Sequence, residues 1–200
     1  MRDDARGVAA ALRALAPDLV CVQEAPRLFG WRLSRRLLAR RSGLRVLTRG
    51  RACGNLLLAA PGVRVLSSGT VHLPRRRGLH RRAVVHARVV VDGRELVLAG
   101  THLDVEPAAR LDSARRVRAG LPAGRLVLGA DVNDVPGSPA WQALAAGLVS
   151  VGGQAPTFPV HAPGRRIDAL LLDPGLFVES AGVEATGPVS DHLAVRADLR

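Results

Sequence analysis

The 200-residue sequence contains no tyrosine and no lysine, and Ile167 is its one isoleucine. Its aromatic side chains are Phe29, Phe158, Phe177, Trp31 and Trp141, which leaves few platforms on which nucleic-acid bases can stack. Two cysteines, Cys21 and Cys53, are too few for a disulfide framework or a zinc site, so both are expected as free thiols. Hydrophobic residues make up 48% of the chain with a mean hydropathy of +0.13. Even so, no uninterrupted apolar run approaches the ~18 residues that read as a membrane span. The opening Met1-Arg-Asp-Asp-Ala-Arg6 lacks the basic-then-apolar layout of a signal peptide, and a cytoplasmic location is expected. Repeats and low-complexity linkers are absent too, so the length suits one domain with a sizeable core, expected as a monomer.

What the chain has in excess is positive charge. All 29 basic residues are arginine, and the net charge is +12. Clustered cations release phosphate counterions, which invites a nucleic-acid partner. The arginine excess runs through the whole chain, however, and resembles a codon bias. The denser groups, Arg35-Arg36 with Arg40-Arg41 and Arg75-Arg76-Arg77 with Arg81-Arg82, suit either a polyanion or a solvated face. A phosphate-bearing anionic partner is the class these charges favour.

Periodicity predicts a helix over 4–16 with Val8, Leu12 and Leu15 on one face, stopped by Pro17. A strand follows over 18–24, with Gln23 and Glu24 at its C-terminal end. A second helix is expected over 27–41, burying Leu33, Leu37 and Phe29 and turning its arginines outward. Beyond Gly43 the period changes to short β segments at 44–47, 55–59, 63–66, 83–91 and 95–99, read as a run of antiparallel strands. Asp92-Gly93 fits a tight hairpin turn. The strand before Gly-Thr-His102-Leu-Asp104 leads to a helix over 107–120 with Leu111, Ala114 and Val117 inward.

The chain is organised around 125–141. Leu126 to Leu128 form a buried strand ending in Asp131 and Asn133, two residues apart and expected on one face of an extended segment. Ser138 and Pro139 can start a helix as N-cap and first residue. On its own, Asp-x-Asn at a strand end is most often an Asx-turn. Farther on, Asp168 stands at the start of an apolar strand over 169–172, and Asp191-His192 precede another over 193–195.

Separately, each of these polar groups has a structural explanation. Together, Glu24, His102, Asp131, Asn133, Asp168, Asp191 and His192 all fall at strand ends in five separated segments. Metal-assisted phosphate cleavage needs such a set: oxygen ligands for a hard cation, a carboxylate to activate water, and imidazoles to stabilise charge or protonate the leaving oxygen.

The ordered set Val-Gln-Glu24, Gly-Thr-His102-Leu-Asp, Gly-Ala-Asp131-Val-Asn133, Thr157-Phe-Pro, Arg166-Ile-Asp168 and Ser190-Asp191-His192 resembles the endonuclease/exonuclease/phosphatase family, the DNase I-like fold. The resemblance covers residues 4–200. It implies a four-layered α/β sandwich, two mixed β-sheets face to face with helices outside, and the site at one end of the sheets. It also implies Mg²⁺, or Mn²⁺, held by Glu24 and by Asp191, directly or through water. Asp131 would activate the water, Asn133 would hold it or the scissile phosphate, and His102 would stabilise a phosphate oxygen. His192 would contact the phosphate with its ring positioned by Asp168. The implied activity is hydrolysis of a phosphate ester, with nucleic acid the leading substrate among candidates that include phospholipid and small phosphate esters.

Two departures accompany the resemblance. Family members begin with a strand reading like Thr-x-Asn-Ile or Thr-x-Asn-Val whose Asn serves the metal, whereas this chain begins at the following helix. The expectation is one domain over 1–200, N-terminally incomplete, with a start upstream of Met1 favoured over loss of a central strand. If the 200-residue form is the real product, weak metal binding and poor solubility follow from the exposed sheet edges. The second departure is Gly-Ala-Asp-Val-Asn where Gly-Asp-Phe-Asn is usual. The competing class is a non-catalytic, polyanion-binding pseudoenzyme that has lost its first strand.

Overall fold

Asp4 starts the first helix by accepting the Arg6 amide at 2.9 Å, and Ala16 ends it in a left-handed conformation before Pro17. The computed structural model describes residues 4–200. In chain order the elements are α1 (Ala5–Leu15), β1 (Leu19–Val22), α2 (Trp31–Ser42), β2 (Arg45–Val46), β3 (Leu56–Ala59), β4 (Arg64–His72), β5 (Ala83–Val91), β6 (Arg94–His102), α3 (Pro107–Gly120), β7 (Leu126–Asp131), α4 (Pro139–Ala145), β8 (Val149–Val151), β9 (Asp168–Leu172), β10 (Val178–Glu184) and β11 (Ala194–Leu199). No helix among the described residues is long and apolar enough to cross a membrane.

The layers are those of a four-layered α/β sandwich. A six-stranded sheet, β4-β5-β6-β7-β9-β8, is mixed: β6 and β7 run parallel and the other neighbours antiparallel. Opposite it lie the antiparallel pieces β1-β3-β2 and β10-β11. Leu57 and Ala59 of β3 meet Val85, Ala87, Leu98 and Val127 between the β layers. The other face of the large sheet, including Ala99 and Leu128, packs on Ala114 and Val117 of α3 and on Trp141 and Leu144 of α4. Leu56 and Leu58 turn outward under Ala9, Leu38 and Ala39 of α1 and α2. Each fully buried leucine here stabilises the fold by about 2 kcal/mol. The β layers touch closely at Gly129, where a Cβ would stand 2.7 Å from that of Cys21.

Several local readings hold. Asp92 and Gly93 both have positive φ in the β5–β6 hairpin. Ser138 accepts the Trp141 amide at 3.3 Å and Pro139 opens α4. Others need correction. In α2 it is Arg35, Leu38, Ala39 and Ser42 that are buried, while Phe29, Leu33 and Leu37 are exposed. Arg35, 1% exposed, turns inward because three carbonyls await it: Pro26 at 2.9 Å, Gly50 at 3.1 Å and Arg51 at 2.8 Å. The strand expected over 63–66 continues to His72 through the polar Ser67-Ser68-Gly69-Thr70, with a register shift between Val65 and Ser67. β8 and β10 carry too little apolar pattern to have been read as strands.

Among the described residues β1 pairs only with β3, and β11 only with β10, so each keeps one edge unpaired there. Both edges border a cleft of about 540 Å³ that also takes in Leu98, Val127, Leu170 and Leu172 and reaches Asp131, Asp168 and His192.

Candidate active site

The register of the large sheet aligns the polar groups at one end. His102, last residue of β6, pairs with Asp131, last of β7, and Asp131 pairs with Asp168, first of β9. Three residues far apart in sequence thus become lateral neighbours, about 5 Å apart per strand. β11 is preceded by His192, whose Nδ1 lies 2.9 Å from Asp168 Oδ2. Asp131, Asp168 and His192 each present an atom within 4.8 Å of the others.

Asn133 does not lie on an extended segment. Its φ is +56°, and its amide donates to Asp131 Oδ1 at 3.0 Å, so Asp-x-Asn closes an Asx-turn and serves the site at once. The Asn133 side-chain amide donates to the Leu103 carbonyl at 3.0 Å, which fixes the direction of its NH₂ group. The second proton of that group points at His102 Nε2, 3.0 Å away. With its proton on Nδ1 the neutral ring accepts at Nε2; with its proton on Nε2 it donates to Asp131 instead. The same Nε2 lies 3.2 Å from Asp131 Oδ2.

Electrostatics separates the three titrating groups. Burial, with the Asp168 charge added, pushes the Asp131 carboxyl up to about 7. Burial also pulls His102 down to about 3, aided by the positive charges of Arg82, His192, Arg27 and His80, so this ring is neutral at pH 7. For His192 burial alone would lower the pKa. The hydrogen bond to Asp168 and the charges of Asp168, Asp131 and Asp191 outweigh it, and the group rises to about 9. At neutral pH the site thus holds one imidazolium, one neutral imidazole and a carboxyl group near its titration point.

Glu24 and Asp191 border the same cleft but stand outside the Asp131–Asp168–His192 cluster. Glu24 holds a left-handed φ of +53°, uncommon for a non-glycine residue, at the turn after β1. The donor set fits a hard divalent cation: burial first and the neighbouring Asp168 charge second raise Asp131, and a cation between the two carboxylates would offset both.

Supporting residues that the sequence did not single out hold these groups. The buried Thr157 hydroxyl accepts from the amides of Ile167 at 3.2 Å and Asp168 at 3.3 Å, and Thr157 O receives the Leu193 amide at 2.8 Å. Phe158 packs its ring 4.8 Å from that of His192. Buried Arg110 donates to the Asn133 carbonyl and pairs with Asp134 at 3.0 Å, bracing the left-handed turn. Asp104, two residues after His102, pairs with buried Arg82 at 3.5 Å. Thr157-Phe-Pro was visible as a motif; a buried arginine in an arginine-rich chain was not.

The site thus sets a carboxylate–imidazole pair and a second buried aspartate at one end of the mixed sheet inside an α/β sandwich. The chain belongs to the Endonuclease/Exonuclease/phosphatase family, which it matches over residues 1–192. Among solved structures it is similar to the mannosyl-6-phosphatase of Bacteroides thetaiotaomicron VPI-5482, with a TM-score of 0.83, 16% identity, 98% of this chain and 90% of that one covered. It is also similar to D. rerio TDP2 complexed with single strand DNA product, at 0.78 and 18% identity, covering 99% and 92%. An endonuclease/exonuclease/phosphatase from Beutenbergia cavernae DSM 12333 aligns at 0.72 and 25% identity, covering 98% of this chain and 66% of that one. No curated protein matches the sequence.

Proposed function

We propose that the chain is a divalent-metal-dependent phosphoesterase that cleaves a P–O bond by in-line attack of water, with nucleic acid as the leading substrate. The observation that carries this reading is the Asp168–His192 pair, 2.9 Å long, beside an aspartate whose pKa is pushed up to about 7. Such an aspartate is matched to taking a proton from water near neutral pH. Asn133 orients that water or the phosphate. His192, cationic at pH 7, faces the negative charge that builds on phosphate in the transition state and can protonate the leaving oxygen. Asp168 holds the His192 ring. His102 is neutral and stands with Nε2 between Asn133 and Asp131, so its part is to position the one or the other while the cationic contribution falls to His192.

Glu24, with Asp191 and the carboxylates beside them, would hold Mg²⁺ or Mn²⁺. When bound, the ion supplies charge neutralisation and Lewis acidity toward the phosphate oxygens. A cytoplasmic, monomeric protein is part of the same proposal. The edges that β1 and β11 leave unpaired among the described residues have room for a further strand, and α1 begins beside them, with the Asp4 amide donating to Val189 O at 3.2 Å.

The test is a hydrolysis panel of bis(p-nitrophenyl) phosphate, p-nitrophenyl phosphate and oligonucleotides, with Mg²⁺ and with EDTA. EDTA-sensitive release of product that vanishes in Asp131→Ala supports the reading. No cleavage of any ester, by this chain or by one extended at its N-terminus, removes it.

A further inference from the structure

The row of strand ends that carries the site continues past His102. His72, last residue of β4, pairs with Ala83, first of β5, and Val84 pairs with Thr101, the residue before His102. From Asp168 outward, the row therefore reads acid, acid, neutral imidazole, and then only basic groups. Arg82, Arg81 and His80 lead into β5, and His72 closes β4. Arg82 is 8% exposed and its Nε, 3.5 Å from Asp104 Oδ2, makes no hydrogen bond among the described residues. Asp104, itself 4% exposed, is thereby occupied. Arg27 approaches from the turn after Glu24: its Cδ lies 3.9 Å from where a Gly54 Cβ would sit, next to Cys53, whose Sγ is 3.7 Å from His72 Nδ1. Arg27, His80 and Arg81 are exposed and have no hydrogen-bonding or ion-pair partner among the described residues.

Positive groups gathered this closely repel one another, and Asp104 is the acid that balances them. The charges of Arg82, Arg27 and His80 are felt at His102, so they lie within electrostatic reach of the site. Strands are about 5 Å apart, which places β5 about 10 Å from Asp131, two strands across. That separation puts the cluster within reach of the next phosphate along a nucleotide chain. The arginine bias of the sequence does not account for this placement: buried Arg35 is fully used by three carbonyls, whereas buried Arg82 faces a single acid at 3.5 Å and its Nε makes no hydrogen bond among the described residues.

Resting on the phosphoesterase reading, we propose that Arg27, His80, Arg81 and Arg82 form a subsite for a second phosphate, so that the preferred substrate carries a phosphate flanking the scissile one, as in a single-stranded polynucleotide. The subsite lies on the β5 side of His102, opposite the Asp168–His192 pair.

The experiment compares Arg27→Ala/Arg81→Ala with Arg36→Ala/Arg40→Ala, an exposed pair on α2 that removes the same charge. Binding of a fluorescein-labelled thymidine hexanucleotide is followed by anisotropy in EDTA, so that no turnover is needed. The first pair weakens binding about tenfold and lowers the slope of log affinity against log salt by about 0.7, as loss of one single-strand phosphate contact requires. The α2 pair shifts affinity less than about twofold, since it touches no phosphate. Equal effects of the two pairs, or none, overturn the proposal. Thymidine 3′,5′-bisphosphate competing better than thymidine 3′-monophosphate supports a second-phosphate site, and competition equal to the hexanucleotide assigns the source to a small bisphosphate. No advantage over the monophosphate overturns it. Loss of binding to phosphatidylserine vesicles without loss of oligonucleotide binding also overturns it, in favour of a membrane surface. Hydrolysis of bis(p-nitrophenyl) phosphate with Mg²⁺ is measured in parallel. Its absence from the unsubstituted protein counts against the phosphoesterase reading, while anisotropy still decides the subsite.

Discussion

Asp168, first residue of β9, and His192, in the segment before β11, meet at 2.9 Å, and the aspartate holds the imidazole as a cation. Replacing Asp168 by Asn removes the charge that raises His192 and leaves only a neutral amide oxygen to accept from its ring. The His192 pKa is then expected to fall from about 9 to 6.5 or below, because the burial that opposes protonation remains. Phosphoester hydrolysis should drop by about 10²–10³-fold, the usual contribution of a positioned acid–base group. An NMR titration of the ring reads the first effect and kcat/KM the second. An unmoved His192 titration would show that the pair does not set its charge.

The same pair gives the metal-free protein a pH signature. The folded-state pKa of about 9 exceeds the ordinary histidine value of 6.5, so the folded chain keeps a proton that the unfolded chain has released between those values. The stabilisation is complete below about 6.5 and is lost as pH rises through 9. In EDTA, Tm should therefore decline from pH 6.5 to pH 9.5, and His192→Asn should flatten that decline. A parallel decline in the variant would place its cause elsewhere.

Asp131 carries the opposite consequence for stability. Its folded pKa of about 7 lies above the ordinary 3.8, so the cost of burying the carboxylate appears as pH rises from about 4 to 7 and is fully present at pH 8. Asp131→Asn keeps an oxygen for the Asn133 amide and removes the charge. The variant should melt several degrees higher than the unsubstituted protein at pH 8 in EDTA, yet be inactive. Mg²⁺ should raise the Tm of the unsubstituted chain more than that of the variant, since a cation bound to the folded state stabilises it by mass action. Calorimetry with and without Mg²⁺ at two pH values checks both statements.

Much of this was legible in the sequence because chemistry-bearing residues fell where apolar strands stopped. Glu24, His102, Asp131 and Asp168 could each be placed at a strand end, and the motif order then supplied the sandwich. What the sequence hid were side chains whose usual habit misleads. Asp131 and Asn133 were read as neighbours on an extended face, whereas a left-handed Asn133 folds the pair into an Asx-turn. β4 was cut short because Ser67 to Thr70 carry no apolar alternation, although its backbone pairs with β5 throughout. In α2 the leucines were assumed to face in and the arginines out. The three carbonyls that reverse this assignment at Arg35 come from 26, 50 and 51, a convergence that no local pattern announces.

Arg35 is for that reason a stability test. Arg35→Met keeps much of the aliphatic bulk but leaves the carbonyls of Pro26, Gly50 and Arg51 without their donor in a nearly solvent-free place. Loss of about 3 kcal/mol is expected, on the scale of buried polar groups left unpaired. Urea denaturation measures it. A loss below about 0.5 kcal/mol, the range of ordinary surface substitutions, would mean that water replaces the guanidinium without penalty.

Thr157 separates positioning from folding. Its hydroxyl is fully buried and accepts from the amides of Ile167 and Asp168, so it fixes the backbone from which the Asp168 carboxylate reaches His192. Thr157→Val preserves shape and removes the acceptor, leaving two buried amides unsatisfied at a cost of about 1–3 kcal/mol. If Thr157 only held the fold together, the folded fraction of the variant would keep its kcat and the His192 titration would not move. A positioning role predicts a lower kcat at nearly unchanged KM and a His192 pKa below that of the unsubstituted protein, because a displaced Asp168 no longer holds the imidazolium. Thr157→Ser, which restores the acceptor, should recover both. Recovery of stability without recovery of kcat and the titration would leave Thr157 a purely structural residue.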